Sequence, residues 1–135
     1  MRYAGRIQKI ESNDMPRNNE EHRIQCAIIN AADCIPEIRG RLYANPNGGA
    51  RDVITGAMLK REGVRKGIPD LTLPLSRRGY CGLYIEVKTK TGRLSKEQED
   101  WREYLMDNGY FSTVVRSASE GMRAVMWYLG MFEKQ

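Results

Sequence analysis

The sequence predicts an α/β fold in which a mixed β-sheet is flanked by helices. Apolar residues recur at helical spacing in several segments, and short strand-like runs lie between turns rich in Gly, Pro and Asn. The expected order is helix, strand, helix, strand, strand, helix, strand, helix, which a chain satisfies by laying its helices on the faces of one sheet. A length of 135 residues supports one compact domain and leaves little room for a second. The expected division is an N-terminal arm over residues 1–17 and a single domain over 18–135.

The elements follow in order. A first helix begins near Asn18 or Asn19, either of which is a good cap, and Ile24, Ala27, Ile28 and Ala31 form its buried stripe. Ile35-Pro36 ends it, because a residue before proline avoids the helical region. Residues 41–44 read as a short strand, closed by the turn Asn45-Pro46-Asn47-Gly48-Gly49. A second helix covers about 52–62 with Gly63 as its cap, and its exit from Lys60 to Lys66 is densely basic. That patch suits the negative end of the helix dipole, and it equally suits an anionic partner. Residues 71–75 form the next strand, which Pro74 places near an edge or bulge. Ser76-Arg77-Arg78-Gly79 then turns the chain into the strand that carries Glu86 and Lys88. Ser95 caps a third helix with Gln98 at the capping-box position; Leu94, Trp101 and Leu105 give it an apolar face, and Gly109 closes it. Residues 110–115 are the last strand. Ser117 and Glu120 form a second capping box that opens a terminal helix through Val125, Tyr128 and Leu129.

Composition narrows the function classes. Hydrophobic residues at 41% and charged residues at 29% are ordinary for a soluble globular protein. The net charge of +5 favours a polyanionic partner, since neutralisation of phosphates by Lys and Arg dominates nucleic-acid affinity. No apolar run approaches bilayer length and no signal-peptide core follows Met1, so a soluble, cytoplasmic chain without membrane contact is expected. Cys26, Cys34 and Cys81 are odd in number and unpatterned, which argues for reduced thiols. His22 and Cys26 lie one helical turn apart, but no second pair has metal-ligand spacing.

The chemistry concentrates in Lys66-Gly67-Ile68-Pro69-Asp70 and Glu86-Val87-Lys88. Period-two alternation puts Glu86 and Lys88 on one strand face, with Leu83, Ile85 and Val87 on the other. Asp70 stands at the mouth of the preceding strand, where an antiparallel return brings it beside Glu86. Two converging carboxylates make a site for a hard divalent cation such as Mg²⁺. A lysine beside that cation can orient the water that attacks a phosphate. A turn at Gly-Ile-Pro-Asp and a solvated Glu-x-Lys face are the structural alternatives. Taken with the basic chain, the set reads as a nuclease.

With these residues in place the chain resembles the PD-(D/E)XK nuclease superfamily, with its restriction-endonuclease-like core, and within it the VRR-NUC (virus-type replication-repair nuclease) family. The matching pieces are Glu21 with Gln25, Asn47-Gly48-Gly49, Lys66-Gly67-Ile68-Pro69-Asp70, Glu86-Val87-Lys88, Leu94-Ser95-Lys96-Glu97-Gln98 and Val114-Val115-Arg116-Ser117, in the family's order. The resemblance implies that Asp70 and Glu86 are the principal metal ligands, with the carbonyl of Val87 a third. It implies that Lys88 orients the water and stabilises charge developing on the phosphate. Glu21 is then a direct or water-mediated ligand, or else a solvent-facing acid of the first helical turn. Gln98 faces the site, or serves only its cap. Arg116 contacts a phosphate, or is a surface arginine. Arg61, Arg65, Lys66, Arg77, Arg78, Lys90 and Arg93 are candidates for backbone contacts that position DNA without reading its sequence.

The function this supports is a Mg²⁺- or Mn²⁺-dependent DNA endonuclease. Small members of the family resemble homodimeric Holliday-junction resolvases, and two-fold pairing would present two sites to a symmetric four-way junction. Met122, Met126, Trp127, Met131 and Phe132 offer a dimer face on the terminal helix, unless that stripe is core. The family also hints at a phage or mobile element in a bacterial host. Two alternatives stand beside the resolvase: a flap or nicking nuclease of a replication or repair assembly, and a non-catalytic nucleic-acid-binding module.

Overall fold

Alternation decides the sheet. Leu71 and Leu73 pair with Ile85 and Leu83 in an antiparallel register, so all four side chains share one face, and Val87 continues it on the same strand. The computed structural model describes residues 19–46 and 53–131. In it the elements are α1 (Asn19–Ala32), a 3₁₀ turn (Pro36–Ile38), β1 (Tyr43–Ala44), α2 (Val53–Arg61), β2 (Leu71–Leu73), β3 (Leu83–Val87), α3 (Lys96–Asp107), β4 (Phe111–Val115) and α4 (Ala118–Tyr128). The strands lie in the order β1-β2-β3-β4, antiparallel except for the parallel pair β3–β4. Helix α3 makes the crossover that a parallel pair requires. The observed order of helices and strands is the one the sequence predicts.

Helices α1 and α4 pack on each other and on the apolar face, where Ile28, Ala32, Val125 and Tyr128 meet Leu71, Leu73, Leu83, Ile85, Val87 and Val115. Helix α3 packs against β4 from the opposite face, the one that Glu86 shares by alternation. That division leaves the carboxylate face polar and covered only in part. No described helix is long and apolar enough to cross a membrane.

Local differences from the sequence reading have physical reasons. In α1 the stripe runs through Ile28 and Ala32, with Ile24 packed beside it, and Ala27 faces solvent. The strand expected over 71–75 stops at Leu73, because Pro74 has no N–H for the ladder and the Leu75 N–H turns back to the Leu73 carbonyl at 2.9 Å. The strand over 41–44 shortens to Tyr43–Ala44. On α4, Met122 and Trp127 pack against the core, which removes them from the expected dimer face; Met131 remains half exposed at 50%. The N-terminal arm over residues 1–17, Asn18, the turn residues Asn47, Gly48 and Gly49, Asp52 and Phe132 lie outside the described residues.

Candidate active site

The register that aligns Leu71 with Ile85 sets Asp70 opposite Glu86, one step further along. At that step the regular ladder gives way to a side chain: Asp70 Oδ2 accepts the Val87 N–H at 2.7 Å. A strand residue directs its N–H and C=O to the same edge, so the Val87 carbonyl leaves β3 toward Asp70. Backbone contacts hold Asp70 from the other side. The Asn45 N–H donates to the Asp70 carbonyl at 2.8 Å. The Asn45 side-chain amide donates to the Pro69 carbonyl at 2.9 Å and to Thr72 Oγ at 2.7 Å. Asn45 therefore clamps the chain on both sides of Asp70. The sequence reading treated Asn45 as a turn former, since a residue before Pro-Asn-Gly-Gly carries no signal of such a partner.

Glu86 is 4% exposed. Its Oε2 accepts from Gln98 Nε2 at 3.1 Å, while its buried Oε1 has no hydrogen-bond partner. Burial pushes the Glu86 carboxyl up to about 9, and the Asp70 charge adds to the rise. Lys88 works against that rise, and Glu21 contributes to it from the first turn of α1. An ionised Glu86 thus calls for a compensating cation, and its Oε1 is left unpartnered. A divalent cation fits this pair. Among the described residues no three His, Cys, Asp or Glu side chains come close enough to hold a metal ion between them. The fold brings Glu21 within electrostatic reach of Glu86.

Gln98 serves both purposes that the sequence left open. Its Oε1 accepts the Ser95 N–H at 2.8 Å and its own N–H donates to Ser95 Oγ at 3.1 Å, completing the capping box of α3. Because the cap consumes the amide oxygen, the NH₂ group is the end left for Glu86. Gly67 supports the same helix start. It has φ +94, and a Cβ built there would fall 2.6 Å from Glu97 Cβ and 2.7 Å from the Glu97 carbonyl carbon. The segment leading to Asp70 therefore lies against the first turn of α3, and nothing in the local sequence announces that contact.

The basic candidates separate into two groups. Arg61, Arg65 and Lys66 are exposed on the approach to Asp70, and Lys90 and Arg93 are exposed just beyond Lys88. Lys66 also helps hold the Glu97 carboxyl below the usual carboxylate range, after hydrogen bonding to the helix backbone. Arg77 and Arg78 lie in the connection between β2 and β3, at the opposite end of the strands from Asp70 and Glu86. There Arg77 pairs with Glu37. Arg78 donates to the Trp127 carbonyl at 2.7 Å, with its guanidinium 4.4 Å from the Trp127 ring centre. The fold does not bring these two arginines to the carboxylates. Arg116 lies just past β4, with its guanidinium turned to the carbonyls of the turn after Lys88.

Comparison with known proteins bears on this arrangement. The family model for the VRR-NUC domain matches residues 6–119, beginning inside the expected N-terminal arm. Among solved structures, a VRR_NUC domain protein is similar in fold with a TM-score of 0.72 and 23% identity, covering 83% of this chain and 89% of the other. No curated protein matches the chain significantly in sequence. With a four-stranded mixed sheet, an Asp and a Glu-x-Lys brought together at the ends of its two central strands, and a family match over most of its length, the chain belongs to the VRR-NUC domain family, nucleases of the PD-(D/E)XK superfamily.

Proposed function

We propose that this chain is a divalent-metal-dependent, structure-selective DNA endonuclease that hydrolyses phosphodiester bonds in branched DNA as a homodimeric Holliday-junction resolvase. The observation that carries the metal-dependent step is the Asp70–Glu86 pair, in which two carboxyl groups interact directly and the buried Glu86 keeps one oxygen without a partner. Superfamily practice is to use a divalent metal, and Asp70, Glu86 and the Val87 carbonyl would hold Mg²⁺ or Mn²⁺ here. When bound, the ion supplies a Lewis acid for the phosphate and lowers the pKa of water. Lys88 keeps its ammonium beside Glu86, orients the attacking water and offsets charge that develops on the phosphate. Gln98 fixes the rotamer of Glu86 through Oε2, and Glu21 tunes the local charge. Arg61, Arg65, Lys66, Lys90 and Arg93 form the exposed cationic rim for the DNA backbone.

Branched DNA and a dimer are favoured by the resemblance and by the absence, among described residues, of any added recognition element. Residues 18–135 would then act as one nuclease domain carrying an arm over 1–17, in the cytoplasm. Cleavage by wild type and by Asp70→Ala tests the reading, with labelled four-way junction, flap and linear duplex in Mg²⁺, Mn²⁺ or EDTA. Paired symmetric cuts confined to the junction, absent in EDTA and reduced about 10³-fold in the variant, are expected. Cuts confined to flaps or linear duplex would leave the nuclease and remove the resolvase. Binding without metal-dependent cleavage of any substrate would make the chain a non-catalytic nucleic-acid-binding module.

A further inference from the structure

One side chain holds the turn that follows Lys88. Arg116 Nη1 lies 2.7 Å from the Thr89 carbonyl and 2.6 Å from the Gly92 carbonyl, with the Lys90 carbonyl at 3.5 Å. The arginine is itself anchored. Its backbone N–H donates to Glu120 Oε1 at 2.8 Å, and Ser117 Oγ caps that same helix start by accepting the Glu120 N–H at 3.0 Å. One residue earlier, the Val115 carbonyl accepts the Lys88 N–H at 2.9 Å. The turn closes through the Gly92 N–H on the Thr89 carbonyl at 3.2 Å. A Cβ placed on Gly92 would fall 2.9 Å from Thr89 Oγ1 and 3.6 Å from Lys88 Cδ, so the turn runs alongside the lysine stem.

We infer that Arg116 is a positioning residue for Lys88: it ties residues 89–92 to the start of α4, and that turn props the lysine stem so that its ammonium stays at Glu86. The inference rests on the reading of Lys88 as part of the cleavage machinery. A guanidinium suits the task, because it presents fixed donors and never loses its charge. Its Nη1 donors are engaged by main-chain carbonyls, which separates this role from a phosphate contact. Misplacing a reacting group by about 1 Å can cost about 10²-fold in rate.

The test compares Arg116→Ala, Arg116→Lys and Gly92→Ala with wild type. A positioning role lowers kcat about 10²-fold in Arg116→Ala, while DNA binding in EDTA and its salt dependence stay unchanged. Arg116→Lys recovers part of the rate, since an ammonium also donates to carbonyls, and Gly92→Ala loses rate because its methyl crowds Thr89 Oγ1 and shifts the turn beside the lysine stem. Weaker binding with a salt slope reduced by about one would make Arg116 a phosphate ligand and overturn the inference. Lys88→Ala separates the two levels of the argument. If Lys88→Ala is inactive and Arg116→Ala cleaves normally, the inference alone fails; if Lys88→Ala cleaves normally, the reading of the site fails with it. Amide exchange gives a readout independent of cleavage: residues 89–92 lose protection in Arg116→Ala, and unchanged protection there sinks the proposal.

Discussion

Glu86→Gln is expected to abolish measurable metal-dependent cleavage, a loss of at least about 10²- to 10³-fold, and to change how the protein handles protons. Burial and the Asp70 charge lift the Glu86 carboxyl from 4.5 to about 9, so at neutral pH the metal-free protein holds a proton there that the unfolded chain does not. The native state then binds more protons than the unfolded state across that interval. Stability from this group is full below about 4.5 and is lost as pH rises toward about 9. Glu86→Gln removes the titrating group, and the thermal midpoint in EDTA should lose that part of its pH dependence. Cation uptake works in the opposite sense, because the ligand must be ionised to bind. Calorimetry of Mg²⁺ binding in buffers of different ionisation enthalpy should show roughly one proton released per ion at neutral pH. Binding without proton release would mean that Glu86 is already ionised and would remove this account of the site.

The convergence of Asp70 and Glu86 was legible because strand register follows from alternation. Leu71 and Leu73 pair face to face with Ile85 and Leu83, and a one-residue slip would turn one strand's pair away from the core. Capping at Ser95 and Ser117 was legible for a similar reason, since each partner lies three residues away. At Ser117, however, the expected box stays half made, because Glu120 Oε1 accepts the Arg116 N–H instead. What escaped were distant contacts made by side chains in loops and at strand ends, which strand alternation does not fix. Asn45 meets Pro69, Arg78 meets Trp127, and Arg116 meets Thr89 and Gly92. For the basic residues, charge in the sequence leaves position open. Arg77 and Arg78 look like Arg65 and Lys66 in sequence, yet the hairpin-like path carries them to the other end of the strands, against Glu37 and Trp127. The apolar side chains of α4 were ambiguous for a related reason. Periodicity identifies an apolar face and leaves open what covers it, and here Met122 and Trp127 turn to the core.

Gly67→Ala is expected to destabilise the protein by about 2 to 3 kcal/mol, combining left-handed backbone strain with an overpacked contact. A loss of that size lowers the thermal midpoint by roughly 6 to 15 °C in a domain of this length. Gly63 supplies the control that separates the two causes. Its φ of +103 is close to the +94 of Gly67, but a Cβ there meets nothing within 4 Å. Gly63→Ala should therefore show the backbone cost alone, about 1 kcal/mol. The excess at Gly67 measures the approach of the chain to Glu97, whose backbone carbon and oxygen would stand 2.7 and 2.8 Å from the new methyl. Trimming Glu97 to Ala leaves those atoms in place and should not rescue the variant. The clash also reaches the chemistry. Relief requires the first turn of α3 to move, and that turn carries the Gln98 amide that holds Glu86 Oε2. Cleavage by folded Gly67→Ala should accordingly fall further than cleavage by Gly63→Ala. Equal midpoints for the two variants would show that α3 gives way without cost, and the link from Gly67 through Gln98 to Glu86 would then be lost.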